Sequence, residues 1–189
     1  MTTPLTPNVS PAIEQAGSTT KKSNSSLSDS MTPQQMEEIA SLAKTQAKKV
    51  FTKVPLLGAV TWLLMQQTAT RHTLISELEW RVMPALVLDQ AKLYIREEAP
   101  VAYASWAFLS EESSLRFRTT PHHLTSTDWK SGDQIWLVDV VAPFGGTQDL
   151  INDLRGNVFH GKAIHQLLPV GEGPSKVLTW PAMQKAVAK

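Results

Sequence analysis

Asp139 is a single carboxylate in the otherwise apolar run IWLVDVVAPFGG, which extends from Ile135 to Gly146. Side chains at every second position of a strand share a face, so Asp139 is expected to lie beside Leu137 and Val141. An ionised carboxylate in such surroundings costs several kcal/mol unless a partner binds it. Asp139 therefore either serves a reaction or is satisfied by solvent at the strand end or by backbone amides.

A carboxylate that serves a reaction needs a hydrogen-bond donor, and the candidates considered are the five histidines of the chain, which has no cysteine. The missing cysteines exclude disulfides, a thiol nucleophile and cysteine-based zinc sites. His122 and His123 lie in the loop-like stretch TTPHHLTS, and His160 and His165 have no carboxylate between them. Neither pair offers the three or four converging ligands of a zinc site, so no metal is expected. His72 differs, since it follows one predicted helix and opens the next, where backbone N–H groups are free.

Three helical segments must position His72. Thr32-Pro33-Gln34-Gln35 is typical of a helix start, with Thr as N-cap and Gln three residues later. A second segment, residues 56–67, is apolar on most of its circumference and is predicted to be buried. The spacing of Leu74 and Leu78 predicts another helix, which Pro84 should end.

The rest of the chain alternates like strands. KLYIRE and VAYASWAFL predict an antiparallel hairpin, and SEESSLRFR begins like a helix. The strand IWLVDVVA precedes a glycine loop and the helical stretch QDLINDLRG, and two short strands, KAIHQLLPV and KVLTWP, close the chain around the turn GEGPS. This order predicts an α+β fold with a central mixed β-sheet flanked by helices.

Composition limits the remaining possibilities for these 189 residues. Residues 1–31 are rich in Ser, Thr and Pro and are predicted to form a disordered tail. Residues 32–55 are predicted to be an N-terminal helix and linker, 56–182 the folded domain, and 183–189 a C-terminal tail. A net charge of +1 without a basic block argues against nucleic acid as a partner. The apolar segments are shorter than the roughly 20 residues of a membrane span, and residues 1–31 lack the pattern of a secretion signal, so no export is expected.

Long strings of the sequence resemble one enzyme family. GAVTWLLM, VMPAL, PVAYASWAFLS, DWKSGDQIWLVDVVAPFGG and SKVLTWP occur between about Leu57 and Trp180. Their order and spacing resemble the RTX toxin-activating lysine acyltransferases, the hemolysin-activating protein C family. The resemblance implies a GNAT-like acyltransferase fold and a cytoplasmic enzyme. Such an enzyme attaches a fatty acyl chain to internal lysines of an RTX protoxin or a related RTX adhesin before secretion.

The resemblance also implies catalytic roles for two residues. The family's catalytic histidine maps onto His72 and its catalytic aspartate onto Asp139. A lysine amine with a pKa of about 10.4 is mostly protonated at neutral pH, so a base must remove its proton. His72 would take that proton, and Asp139 would fix the tautomer of the ring and stabilise its protonated form.

Five further residues are predicted to bind substrates. Gly145 and Gly146 allow close backbone approach, so that amides beyond them would hold the thioester or its phosphopantetheine arm, with a simple tight turn as the alternative. Phe144 belongs to the same loop. Trp106 is a candidate wall of an acyl-chain channel, with a core position as the alternative. Arg71 is a candidate contact for an acidic carrier protein, with an ordinary solvated face as the alternative.

The implied co-substrate is acyl-carrier protein, whose phosphopantetheine thioester delivers the acyl chain, and no permanently bound cofactor is expected. The implied partners are that carrier protein and the RTX substrate, and the resemblance allows a homodimer. Two other functions stay open. One is a non-catalytic module that binds the carrier or the RTX protein; the other is an acetyl-CoA-dependent small-molecule N-acetyltransferase, which rests on fold analogy alone.

Overall fold

The computed structural model describes residues 32–119, 122–168 and 176–182. The predicted disordered tail, the GEGPS turn and the C-terminal tail lie outside these residues. The elements follow in the order α1 (Pro33–Gln66), α2 (Ile75–Arg81), α3 (Met83–Val87), β1 (Ala91–Arg96), β2 (Ala99–Leu109), α4 (Glu111–Phe117), β3 (Gln134–Val141), α5 (Thr147–Asp153), a π-helical turn (Leu154–Val158), β4 (Ile164–Leu168) and β5 (Lys176–Trp180).

Helix α1 begins as the sequence predicts. The backbone N–H of Gln35 donates to Oγ1 of Thr32 at 3.3 Å, and the backbone N–H of Thr32 donates to Oε1 of Gln35 at 2.9 Å. This reciprocal pair satisfies two of the free N–H groups of the first turn. The expectation of two separate helical segments is wrong, because the helix continues unbroken through Pro55. Proline lacks an N–H and removes one helical hydrogen bond there, which the length of the helix tolerates.

The chain divides into two compact units at Lys44 and Thr45. In the first unit the described part is the start of α1, whose residues are all exposed. The second unit holds the rest of α1 and every strand. The predicted boundary between residues 55 and 56 falls inside the continuous helix, and the division into domains stays a prediction.

The five strands form one sheet in the order β1-β2-β3-β4-β5. Neighbouring strands are antiparallel except for β3 and β4, which run parallel and pair from Ile135 to Leu137. Helix α5 and the π-helical turn form the crossover between these two strands, as a parallel pair requires. The predicted hairpin and the mixed α+β sheet are therefore confirmed, whereas the GNAT-like label stays an expectation.

A β-bulge interrupts the pairing of β2 with β3. Ser105 pairs with Asp139 and Trp106 pairs with Leu137, so Val138 is an extra residue without a partner on β2. An extra residue of this kind reverses the alternation of side chains beyond it. The residues of β3 before Val138 and those after it consequently follow opposite alternations.

Each face of the sheet carries its own apolar core. On one face, residues of β2 and β3 pack with α5 and the π-helical turn; on the other they pack with α1, α2, α3 and α4. The first face, called here the α5 face, takes Ile135 and Leu137 before the bulge and Val140 after it. The second, called the α1 face, takes Trp136 before the bulge and Val141 after it.

Gly132 lies where the chain returns toward β2, and its N–H donates to the carbonyl of Phe108 at 3.0 Å. A Cβ at this position would lie 2.5 Å from backbone atoms of Ser110 and 2.6 Å from the carbonyl oxygen of Leu109. Gly132→Ala is expected to lower the free energy of unfolding by about 1–3 kcal/mol, because backbone must move. Urea unfolding measures the loss. Gly58→Ala is the matched control, since no atom lies within 4 Å of the added Cβ; equal stability of the two variants would contradict the prediction.

Candidate active site

The Asp139 side chain is buried, with 1% of its surface exposed. Nε and Nη2 of Arg81 both donate to its Oδ1, at 2.8 and 2.5 Å. Among the described residues, Oδ2 accepts only one long hydrogen bond, from Oγ of Ser105 at 3.5 Å. The Ser105 hydroxyl in turn accepts a hydrogen bond from the backbone N–H of Asp139 at 3.2 Å. The carboxylate is therefore neutralised on one oxygen and open to a second donor on the other.

The expected orientation of Asp139 is half right. It shares a face with Val141, as predicted, but not with Leu137, which belongs to the α5 face. The bulge at Val138 is the reason, because it turns Asp139 toward the α1 face, where Arg81 at the end of α2 reaches it. No signal in β3 alone shows this extra residue.

Arg81 and Ser105 are site residues that sequence reasoning missed. Arg81 is separated from Asp139 by 58 residues and ends a short helix, where a basic residue is usually exposed. Its side chain is only 24% exposed. Ser105 is fully buried in β2 opposite Asp139. The one available signal was the unpaired carboxylate itself, which required some cationic partner.

The ionisation of these groups follows from burial and charge. Burial raises the pKa of Asp139, and the Arg81 guanidinium lowers it back in part. Burial acts to lower the pKa of Arg81, but the carboxylate outweighs it and holds that pKa above its ordinary value. Burial, followed by the charge of Asp139, raises the pKa of Tyr103, so its buried hydroxyl stays protonated.

His72 lies in the turn between α1 and α2 and is exposed. It precedes the first residue of α2 by three positions, so it stands just before the helix and not at its start, where the sequence predicted it. Nε of Arg71 donates to Nε2 of His72 at 3.3 Å. A ring nitrogen that accepts a hydrogen bond carries no proton, so this contact favours the tautomer with its proton on Nδ1.

Two hydrogen bonds hold the turn that contains His72, and one of them attaches it to the end of the strand of Asp139. The hydroxyl of Thr70 is buried and donates to the carbonyl of Leu64 at 2.8 Å, which closes the end of α1. Oε1 of Gln67 accepts from the N–H of Ala142 at 3.0 Å, just beyond the end of β3. The turn with His72 therefore adjoins the end of β3. No hydrogen bond joins His72 and Asp139 among the described residues, so their catalytic pairing stays a prediction.

The loop after β3 forms a tight turn. The N–H of Gly145 donates to the carbonyl of Ala142 at 3.1 Å, and Gly145 and Gly146 have φ of 92° and 82°. A Cβ on either would meet no described atom within 4 Å, so their positive φ and not close packing requires glycine. Phe144 is 61% exposed and lies against Trp62, with ring centroids 5.8 Å apart. The substrate-binding roles of Phe144 and the two glycines stay predictions.

The other two predicted substrate residues lie apart. Arg71 is exposed beside His72. Trp106 is 7% exposed and belongs to the α5 face, so the sheet separates it from the Asp139 side chain. Its ring meets Phe159 edge-on, with centroids 5.1 Å apart. Within the described ranges no group of His, Asp or Glu side chains is arranged to hold a metal ion.

Comparison with known proteins shows the family. A model of the RTX toxin acyltransferase family matches residues 49–181. The chain belongs to this family. The leukotoxin-activating lysine-acyltransferase of a Pasteurella haemolytica-like species (strain 5943B) is 36% identical over 122 residues, 65% of this chain and 74% of that protein. The RTX-II toxin-activating lysine-acyltransferase of Actinobacillus pleuropneumoniae is 37% identical over 99 residues, 52% of this chain and 62% of that protein.

A third relative of the chain is the protein-lysine myristoyltransferase of Escherichia coli. It is 37% identical over 100 residues, which cover 53% of this chain and 59% of that protein. The matched stretches thus span about three-fifths of the second and third relatives. The predicted family is confirmed. Across the residues that the structure describes, no helix is both apolar enough and long enough to cross a bilayer.

Proposed function

We propose that the chain is a protein-lysine acyltransferase that transfers a fatty acyl group to internal lysines of an RTX protein. The observation that carries the proposal is the buried Asp139, open at one oxygen, in a strand whose end is bonded to the turn of His72. Apolar residues of similar volume often replace a buried ion pair without loss of stability, so packing alone does not explain a carboxylate at this position. Relatives named as lysine acyltransferases and a myristoyltransferase support the reaction and the fatty acyl group.

In the proposed mechanism His72 is the general base. Its Nδ1–H donates to Oδ2 of Asp139, the oxygen that Arg81 leaves free, while the substrate amine replaces Arg71 at Nε2. The amine attacks the thioester carbonyl as Nε2 takes its proton. This attack forms the new C–N bond. The C–S bond then breaks, and the imidazolium donates the proton to the departing thiolate. Arg81 acts as a positioning residue, since it fixes the carboxylate without touching substrate.

The donor in this proposal is acyl-carrier protein, with its phosphopantetheine thioester as co-substrate and no permanently bound cofactor. The acceptor is an RTX protoxin or RTX adhesin. The exposed Phe144 and Trp62, whose rings lie in tilted contact beyond the end of β3, offer an apolar surface for the acyl chain.

Intact-mass spectrometry of a coexpressed RTX protein tests the proposal. Wild type is expected to add fatty-acyl mass increments, whereas His72→Ala should lower the initial rate on the order of 10²–10⁴-fold, the usual contribution of a general base. His123→Ala is the matched control, since it removes another exposed imidazole, which stacks on Trp80 instead. Full activity of His72→Ala would reject His72 as the base. A complex that copurifies without any mass increment would indicate a binding module, and heat release on adding acetyl-CoA would favour the small-molecule acetyltransferase.

A further inference from the structure

A cavity of about 390 Å³ opens on the α5 face of the sheet. It lies between the segment before β1, the end of β2 and the segment after the π-helical turn, with Lys130 at one side. Its volume falls within the range of ordinary ligand sites. Since Asp139 faces the α1 side, this cavity is separate from the candidate active site. No role assigned above involves it except the channel prediction for Trp106.

The walls of the cavity are aromatic and fixed. Trp106 and Phe159 are 7% and 4% exposed and meet edge-on at 5.1 Å. Phe108 also meets Phe159 edge-on, with centroids 6.5 Å apart. Leu88 and Val158 complete the apolar lining. Such walls fit an apolar side chain and need little ordering when one binds.

A buried acceptor without a partner lies in the same lining. Gln90 is 2% exposed, and its Nε2 donates to the carbonyl oxygens of Trp106 and Trp129 at 3.1 and 2.9 Å. These two bonds identify the amide nitrogen, so Oε1 is the acceptor. Oε1 is buried and accepts no hydrogen bond from any described residue. The side chain of Gln90 therefore ties the segment before β1 to the backbone of Trp106 and Trp129 behind the cavity wall.

The mouth of the cavity is basic. Lys130, His160 and Lys162 lie around it and are exposed. The single carboxylate at the mouth, Asp89, is bound by Nζ of Lys53 at 2.6 Å, which lowers its pKa. Neither Lys130 nor Lys162 forms a salt bridge with the described residues. The mouth therefore attracts anionic groups.

We propose that this cavity is a docking site for an acidic-apolar peptide segment of the protein that the enzyme acylates. One apolar side chain lies against the rings of Trp106, Phe108 and Phe159, and flanking carboxylates meet Lys130 and Lys162. The inference rests on the proposed function for the identity of the partner. A docking site away from the reacting lysine lets a small enzyme choose a protein by affinity and still act on an unremarkable lysine.

Steady-state kinetics with two acceptors test the docking site. The doubly reversed variant Lys130→Glu/Lys162→Glu is expected to raise KM for the full-length RTX protein by roughly tenfold or more, with kcat unchanged. A short peptide that contains only the target lysine and its neighbours should show no change in either constant. Lys176→Glu, at the opposite edge of the sheet, is the control. Equal effects on both acceptors, or none on the protein, would overturn the proposal.

A binding measurement decides the site even if the wild type acylates no acceptor, in which case the proposed function fails separately. The peptide acetyl-Glu-Leu-Glu-amide is titrated into ¹⁵N-labelled protein, with acetyl-Lys-Leu-Lys-amide and dodecanoate as the other arms. We expect the acidic peptide alone to shift the side-chain amide of Gln90 and the indole N–H of Trp106. Absence of these shifts, or the same shifts at lower concentrations of dodecanoate, would overturn the peptide as occupant.

Discussion

Asp139→Asn is expected to lower the rate of lysine acylation by roughly 10⁴-fold, the scale found when an amide replaces the carboxylate of a catalytic histidine. The amide keeps the size of the side chain but offers His72 the wrong tautomer and cannot stabilise an imidazolium. The same change leaves the buried Arg81 guanidinium without its counter-ion, so the variant should also lose about 3–5 kcal/mol of stability. Both effects originate at one carboxylate, so a single substitution tests its catalytic and its structural role together.

Single-turnover acylation, followed by intact mass at a temperature where circular dichroism shows the variant folded, separates these two effects. Asp149→Asn is the control, because Asp149 is an exposed carboxylate in the first turn of α5. It should match the wild type in both rate and stability. A folded Asp139→Asn protein with near-normal turnover would show that the carboxylate serves only as the ion-pair partner of Arg81 and not in catalysis.

Arg81→Leu is expected to cost about 3–5 kcal/mol of stability, because it leaves a carboxylate that is 1% exposed without a cation. The double variant Arg81→Leu/Asp139→Leu should recover most of that loss, since neither charge then remains buried, yet it should stay inactive. Urea unfolding of both variants measures the recovery. If the double variant is no more stable than the single one, Arg81 does not stabilise the fold through its ion pair with Asp139.

Arg81 also sets the pH range in which Asp139 is ionised. Its charge lowers the pKa of Asp139, so its removal should raise that pKa further. The reaction needs the ionised carboxylate, and the acid limb of the pH–rate profile should therefore move to higher pH. Arg81→Lys keeps the positive charge, so the acid limb of its pH–rate profile should stay close to that of wild type. It cannot place two N–H groups of a planar guanidinium on one carboxylate oxygen, so its rate should fall. A purely structural arginine would leave the pH profile unchanged in every folded variant.

The sequence revealed the elements of this site more readily than its contacts. Asp139 was identifiable because a charge in an apolar strand needs an explanation, and the strand, hairpin and helix cap follow from local patterns. The bulge at Val138 depends on the register of a second strand, which no pattern within β3 specifies. Arg81 was missed because its partner lies 58 residues away and its own helix reads as exposed. Contacts of this range depend on tertiary packing, which propensities do not encode.

The docking cavity could not be predicted for the same reason. Gln90, Lys130 and Lys162 are more than 30 residues apart from one another in the sequence, so no local pattern groups them. Only the fold places them around one opening, with two aromatic rings as its walls. Of the residues that line the cavity, the sequence indicated only Trp106, as a candidate wall of an acyl-chain channel.

The unpaired Val138 changes how tolerant β3 is to substitution. Before it, odd-numbered positions support the α5 core; after it, even-numbered positions do. A library that randomised every second residue of this strand would thus disrupt one core at first and the opposite core a few residues later. Loss of Val138 itself would restore a regular alternation and leave Asp139 opposite Ser105, because the residues on both sides of the bulge already follow the pairing with β2. The composition of β3 is therefore constrained by two different alternations, one on each side of Val138.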